Sequence, residues 1–323
     1  MLSVIGMLGV MIAGLVGSSI TLDSSPRSNH EDEPDPEDHP EAPEPGTAEE
    51  TAPPDIWDPE DGTDPRPPMG GEEGIAGLDL KGTEEGNGLE GSDGHDRLEG
   101  FGGDDQLNGR GGNDELRGGA GNDTLSGGTG QDALWGDEGD DLLMGGADAD
   151  TLLGGEGDDT LLGGEGADLL YAGKGDDWLS GGLGDDTLIA GEGRDTLDGD
   201  DGDDLLVGYA ASLAEHQAWL NGGTGNDILQ MGGFDQAWGG DGSDRFVLDA
   251  QAQGEGARLH DFDLSQDEIV VTYDPADGTP EISVTEGELP DEQQVWVGEK
   301  LLVTLQEGAR ISASDIKLQP LAP

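Results

Sequence analysis

From Gly82 to Val207 the chain repeats with a period of nine, fourteen times and without a gap. Position eight of every unit is leucine, from Leu89 and Leu98 through to Leu197 and Leu206. Position six is aspartate in all but the first unit, where Asn87 stands. Position four is glycine except at Glu85 and Asp148, and position one is glycine except at Ala172 and Ala190. A period this short excludes an ordinary globular core, because each unit can bury its apolar side only by stacking on its neighbours. The chain should therefore form a solenoid. A representative unit, Gly118 to Ser126, reads G-G-A-G-N-D-T-L-S: a carboxylate on a glycine turn that feeds a very short strand.

Glycines at positions one, two and four are expected to supply the left-handed or open backbone of a sharp turn. Such a turn leaves backbone carbonyls pointing outward, and the aspartate at position six adds an ionised oxygen ligand. Hard oxygens on a flexible loop select calcium, since magnesium demands a tighter octahedron and zinc prefers nitrogen and sulfur. Positions seven to nine should form a strand whose alternation turns the position-eight leucine inward.

This pattern resembles the RTX, or hemolysin-type, calcium-binding proteins, and the tandem copies that carry the resemblance cover about half of the chain. The resemblance implies an all-β fold, a right-handed parallel β-roll solenoid in which two nonapeptides form one turn. It also implies that each calcium sits between the loop of one repeat and the loop two repeats later. The matching residues are Asp96, Asp105, Asp114, Asp123, Asp132, Asp141, Asp150, Asp159, Asp168, Asp177, Asp186, Asp195 and Asp204, with carbonyls of the adjoining glycines. Paired in that way, fourteen repeats offer up to twelve sites. Residues 82–207 hold 34 acidic and 5 basic side chains, and twelve calcium ions would cancel 24 of the 29 excess negative charges. Without metal, like charges crowded along a stack oppose compaction.

Beyond Val207 the rhythm breaks at an insertion, 208–221, and resumes in 222–230 and 239–247, with Asp227 and Asp244 in the ligand place. Between these units, Gly232 to Trp238 is one residue short, which makes Asp235 a weaker ligand candidate. Within the insertion, Ser212 and Glu215 form an S-x-x-E capping box, from which a short helix over Leu213 to Trp219 is expected.

The rest of the chain divides by composition. Met1 to Leu22 carries no charged side chain and is long enough to cross a bilayer as a helix, so a retained anchor, a cleaved signal and a misassigned start all remain open. Residues 23–80 are acidic and hold 12 of the 17 prolines, as expected of a disordered, extended linker. After the roll, 248–323 should form a β-rich cap, with strands at Ile269 to Tyr273, Ile282 to Val284, Val295 to Val297 and Leu301 to Leu305. An EF-hand reading of Asp261, Asp263 and Ser265 fails, because glycine is missing at the sixth place and glutamate at the twelfth.

The net charge of −61 argues against a nucleic-acid surface, and the absence of cysteine removes disulfides and thiol chemistry. The chain holds no H-E-x-x-H helix, no G-x-S-x-G elbow and no P-loop, and its five histidines are scattered, so no enzyme is expected. Paired acids such as Asp158 and Asp159 fall at repeat positions five and six, where metal binding accounts for them. The expected protein is exported, extracellular or at the cell surface, binds calcium, and is structural or adhesive. The alternative is a non-catalytic partner or remnant of an RTX enzyme, with the roll as a secretion and folding module. The resemblance implies type I export, yet the terminus, Ile316 to Pro323, lacks the acidic-aliphatic ending that goes with it. A last expectation concerns position nine, where Trp135, Leu153, Tyr171, Ile189 and Val207 should line one sheet as an apolar stripe, its last members near the folded-back insertion helix and its earlier ones free for a partner or a second copy.

Overall fold

The computed structural model describes residues 76–208 and 216–321, except 253, 288, 290 and 307–309. The expectations for Met1 to Leu22, most of the linker and the Ser212/Glu215 capping box lie outside the described residues. Successive strands alternate between a 12-stranded and a 13-stranded sheet, so that the chain winds as a parallel solenoid. Each repeat strand pairs with the strand eighteen residues on, as in Thr160 with Trp178 and Leu161 with Leu179, and two nonapeptides therefore make one turn. Among the described residues there is no α-helix, only the 3-10 turns Pro275–Asp277 and Ala313–Asp315. The first strand, Asp79–Thr83, pairs in parallel with Arg97–Gly102, which moves the start of the roll back into the expected linker.

The repeat strands are longer than the pattern suggested. Thr160–Glu165 runs from position seven of one unit to position three of the next, leaving only positions four to six for the turn. Positive φ values fall at positions two and four, as at Gly155 (127°) and Gly157 (132°). Position one is different: it lies in the strand, faces inward, and is small for lack of room. A β-carbon on Gly118 would stand 2.2 Å from the Oδ2 of Asp123. Ala172 and Ala190 take this place fully buried, so the demand is for a small side chain and not for glycine alone.

The core is a stack of leucines. Leu134, Leu152, Leu170, Leu188 and Leu206 follow one another in register down the first sheet, each wholly buried. The same pairing lines up Trp135, Leu153, Tyr171, Ile189 and Val207 one beside the next on that sheet's outer side.

The insertion is smaller than expected, and its end is not helical. Strand Trp219–Thr224 pairs Trp219 with Thr196 and Leu220 with Leu197. That spacing of 23 exceeds the usual 18 by five residues. Leu220 is wholly buried in the stack, and the core position it fills outweighs the local helix signal that precedes it. Of the expected helix, 213–215 lie outside the described residues, and 216–218 are irregular.

The cap extends both sheets. Glu268–Tyr273 adds to the first sheet beside Arg245–Asp249, and Ile316–Pro320, which the sequence did not mark as a strand, closes it. Lys300–Leu305 adds to the second sheet, Gln293–Val297 pairs antiparallel with it, and Ile282–Glu286 pairs antiparallel with Gln293–Val297.

Candidate metal centre

Each turn holds its position-six aspartate against the strand that follows it, and all fifteen sequence-derived candidates, Asp96 to Asp244, are buried. Their carboxylates form ladders along the two edges of the roll. In each rung the amide of one aspartate donates to Oδ1 of the aspartate one solenoid turn later, as from Asp141 to Asp159 (2.8 Å) and from Asp150 to Asp168 (2.7 Å). The other oxygen, Oδ2, is buried without a hydrogen-bond partner in thirteen of these residues, from Asp105 to Asp244.

Position five stands differently from position six in its exposure. Asp140 and Asp158 are exposed, and their Oδ1 atoms accept the amides of Asp158 (3.0 Å) and Asp176 (2.8 Å). These outer carboxylates brace the turn from solvent, while the inner ones point into the protein.

Burial governs the electrostatics of the inner row. It pushes the carboxyls of Asp150 and Asp159, midway along the stack, up to about 8. Asp132, Asp141, Asp195 and Asp204 rise to about 7. Asp114, Asp177, Asp186 and Asp227 rise to about 6. The donated amide pulls each of them down and neighbouring carboxylates push them up, but loss of water is the largest cause. A buried carboxylate with one unpaired oxygen must take up a proton or a cation.

Residues 82–116, 117–152, 144–179, 153–188, 180–210, 219–230 and 231–252 match the family model described as RTX calcium-binding nonapeptide repeat (4 copies). The chain belongs to the RTX calcium-binding nonapeptide repeat family. Among curated proteins, none matches it.

The geometry of the RTX turns suits calcium. Among the described residues no three His, Cys, Asp or Glu side chains gather into a cage, so an ion held at these turns would need backbone oxygens among its ligands. The position-four carbonyls lie along the same edge: a β-carbon on Gly157 would meet the Gly139 oxygen at 2.3 Å. Many neutral oxygens and a few carboxylates form a hard, adaptable donor set of the kind calcium takes.

Two residues depart from the expected set. Asp267 continues one ladder by accepting the amide of Asp244 (3.1 Å), although no nonapeptide surrounds it. Asp235 occupies a regular ladder place despite its short unit, but both of its oxygens are taken, Oδ1 by the amide of Ala218 and Oδ2 by that of Gly232.

Proposed function

We propose that this chain is an exported, non-catalytic calcium-binding protein whose roll folds on extracellular calcium and then serves a structural or adhesive role. The observation that carries the reading is the set of thirteen buried Oδ2 atoms that accept no hydrogen bond. Left ionised and unpaired, such a group is costly, and divalent cations along the row remove the cost while cancelling the repulsion between rungs. Extracellular calcium modules bind at ~10⁻⁴–10⁻³ M, which keeps such a chain loose inside the cell and folds it outside. The ligands in this reading are the ladder aspartates and the position-four carbonyls. The apolar row from Trp135 to Val207 supplies a contact surface for a cell-surface partner or a second copy, and residues 1–22 supply an anchor or export signal.

The test is a titration of the full chain, first stripped with chelator, followed by far-UV circular dichroism. Calcium should restore the β signal with a sub-millimolar to millimolar midpoint, and magnesium should do so far less. A chain fully folded in excess chelator at neutral pH overturns the reading.

A further inference from the structure

The two edges of the roll are not alike. Along one, the ladder of amide-to-carboxylate bonds is unbroken from Asp96 through Asp204, Asp227 and Asp244 to Asp267. Along the other it is interrupted after Asp195, which takes the amide of Asp177, and resumes only at Asp235, which takes that of Ala218. The next turn reads His216, Gln217, Ala218, and Ala218 stands where an aspartate belongs.

Protein groups close that turn. The amide of Asp195 donates to the Gln217 carbonyl (3.1 Å), and the amide of Gln217 donates to the Gly193 carbonyl (2.9 Å). The amide of Gly193 donates to Nδ1 of His216 (2.9 Å). Gly193 is a position-four residue, and its carbonyl is of the kind that lines the edge elsewhere. Among the described residues, the equivalent oxygens of Gly103, Gly121, Gly139, Gly157 and Gly175 accept no backbone amide. One turn further on, the position-four carbonyl of Gly233 is also taken, by the amide of Gly256 (3.0 Å). The carboxylates tell the same story. Unpaired Oδ2 atoms on this edge run from Asp105 to Asp177 and end there, whereas on the other edge they run from Asp114 to Asp244.

We infer that the two edges hold unequal numbers of calcium ions: one is lined with metal to Asp244, the other only as far as the Asp177 turn, beyond which protein hydrogen bonds take the place of metal. This rests on the calcium reading above. It removes Asp235 from the ligands and makes it a structural acceptor.

Calcium bound to the full-length chain at saturation, counted by equilibrium dialysis with elemental analysis, tests it, with circular dichroism confirming that each variant is folded. Asp227→Asn should lose at least one ion, and Asp235→Asn should keep the full count. The triple change His216→Gly, Gln217→Asp, Ala218→Asp, which copies the turn of Gly184, Asp185 and Asp186, should gain at least one. Equal losses in the two single variants, or a folded triple variant with an unchanged count, overturn the asymmetry while leaving calcium binding intact. Should Asp235→Asn fail to fold, the triple variant decides alone. A parent chain that binds no calcium sinks the calcium reading itself.

Discussion

The repeat roll and the C-terminal cap continue the same two sheets, yet they are held by different forces. A repeat strand buries one leucine and, beside it, a glycine, as Thr160–Glu165 does with Leu161 and Gly163. That leucine contributes ~1.5–3 kcal/mol, too little on its own for nine ordered residues. In the cap, Glu268–Tyr273 buries Ile269, Val270 and Val271, and Lys300–Leu305 buries Leu302, Val303 and Leu305. Phe262 of the cap also meets Phe246 of the last repeat edge-on, with ring centroids 6.0 Å apart. The roll gives its interior to carboxylates and so depends on what neutralises them, whereas the cap depends on apolar burial. A solenoid geometry therefore does not dictate the source of its stability; the side chains inside each rung do.

Chelation should break this comparison most openly. In excess chelator at neutral pH, a protease added to the full chain should cut within 82–207 well before it cuts within 248–320, read by mass spectrometry of the fragments. Uniform cleavage would erase the distinction between the two regions.

Acidification should act as a partial substitute for calcium, and the sign follows from the raised carboxyls. Asp150 and Asp159 stand at about 8 in the fold against an ordinary 3.8, so between those values the folded chain holds protons that the unfolded chain has lost. Their contribution to the metal-free roll is fully present below about pH 4 and is lost as the pH rises towards 8. Lowering the pH from about 8 to about 5 in chelator should therefore return β signal by circular dichroism. A metal-free chain that folds better as the pH rises would contradict the burial of these groups.

Core truncations sharpen the contrast at single residues. Leu161→Ala should cost ~2–5 kcal/mol, visible as a higher calcium midpoint because binding and folding are linked in the roll. Phe262→Ala should cost ~3–5 kcal/mol and lower cap stability by denaturant unfolding with little dependence on calcium. A calcium midpoint that moves equally in both variants would mean that roll and cap fold as one metal-dependent unit.

What was legible in the sequence follows the same line. The period placed Leu161 inward and Asp159 in the turn because every rung repeats the same environment, so fourteen copies reinforce one reading. Where rungs stop being equivalent, local pattern fails. Ser212 and Glu215 suggested a helix reaching Trp219, but strand pairing with Thr196 and Leu197 claims Trp219 and Leu220. Asp267 joins its ladder only because the fold brings the amide of Asp244 to it across 23 residues. Position-one glycines read as turn formers, yet Gly118 is small to make room for Asp123, a steric demand that no composition reveals.

The smallest expected effect lies on the outside of the roll, where the regions differ in what they show to solvent and not in what they bury. Trp135, Leu153, Tyr171, Ile189 and Val207 stand side by side along the first sheet of a chain with net charge −61. Two such anionic chains can meet with little repulsion only where charge is absent, and this row offers apolar area in its place. Tyr171 is 39% exposed and faces outward, so Tyr171→Glu removes nothing from the leucine stack and should leave the calcium midpoint within experimental error. The same change puts a charge in the middle of the row, and any calcium-dependent oligomer detected by light scattering should weaken or disappear. If the calcium-bound parent is strictly monomeric and binds no apolar dye, the row is not a contact surface, and its apolar residues only tolerate exposure.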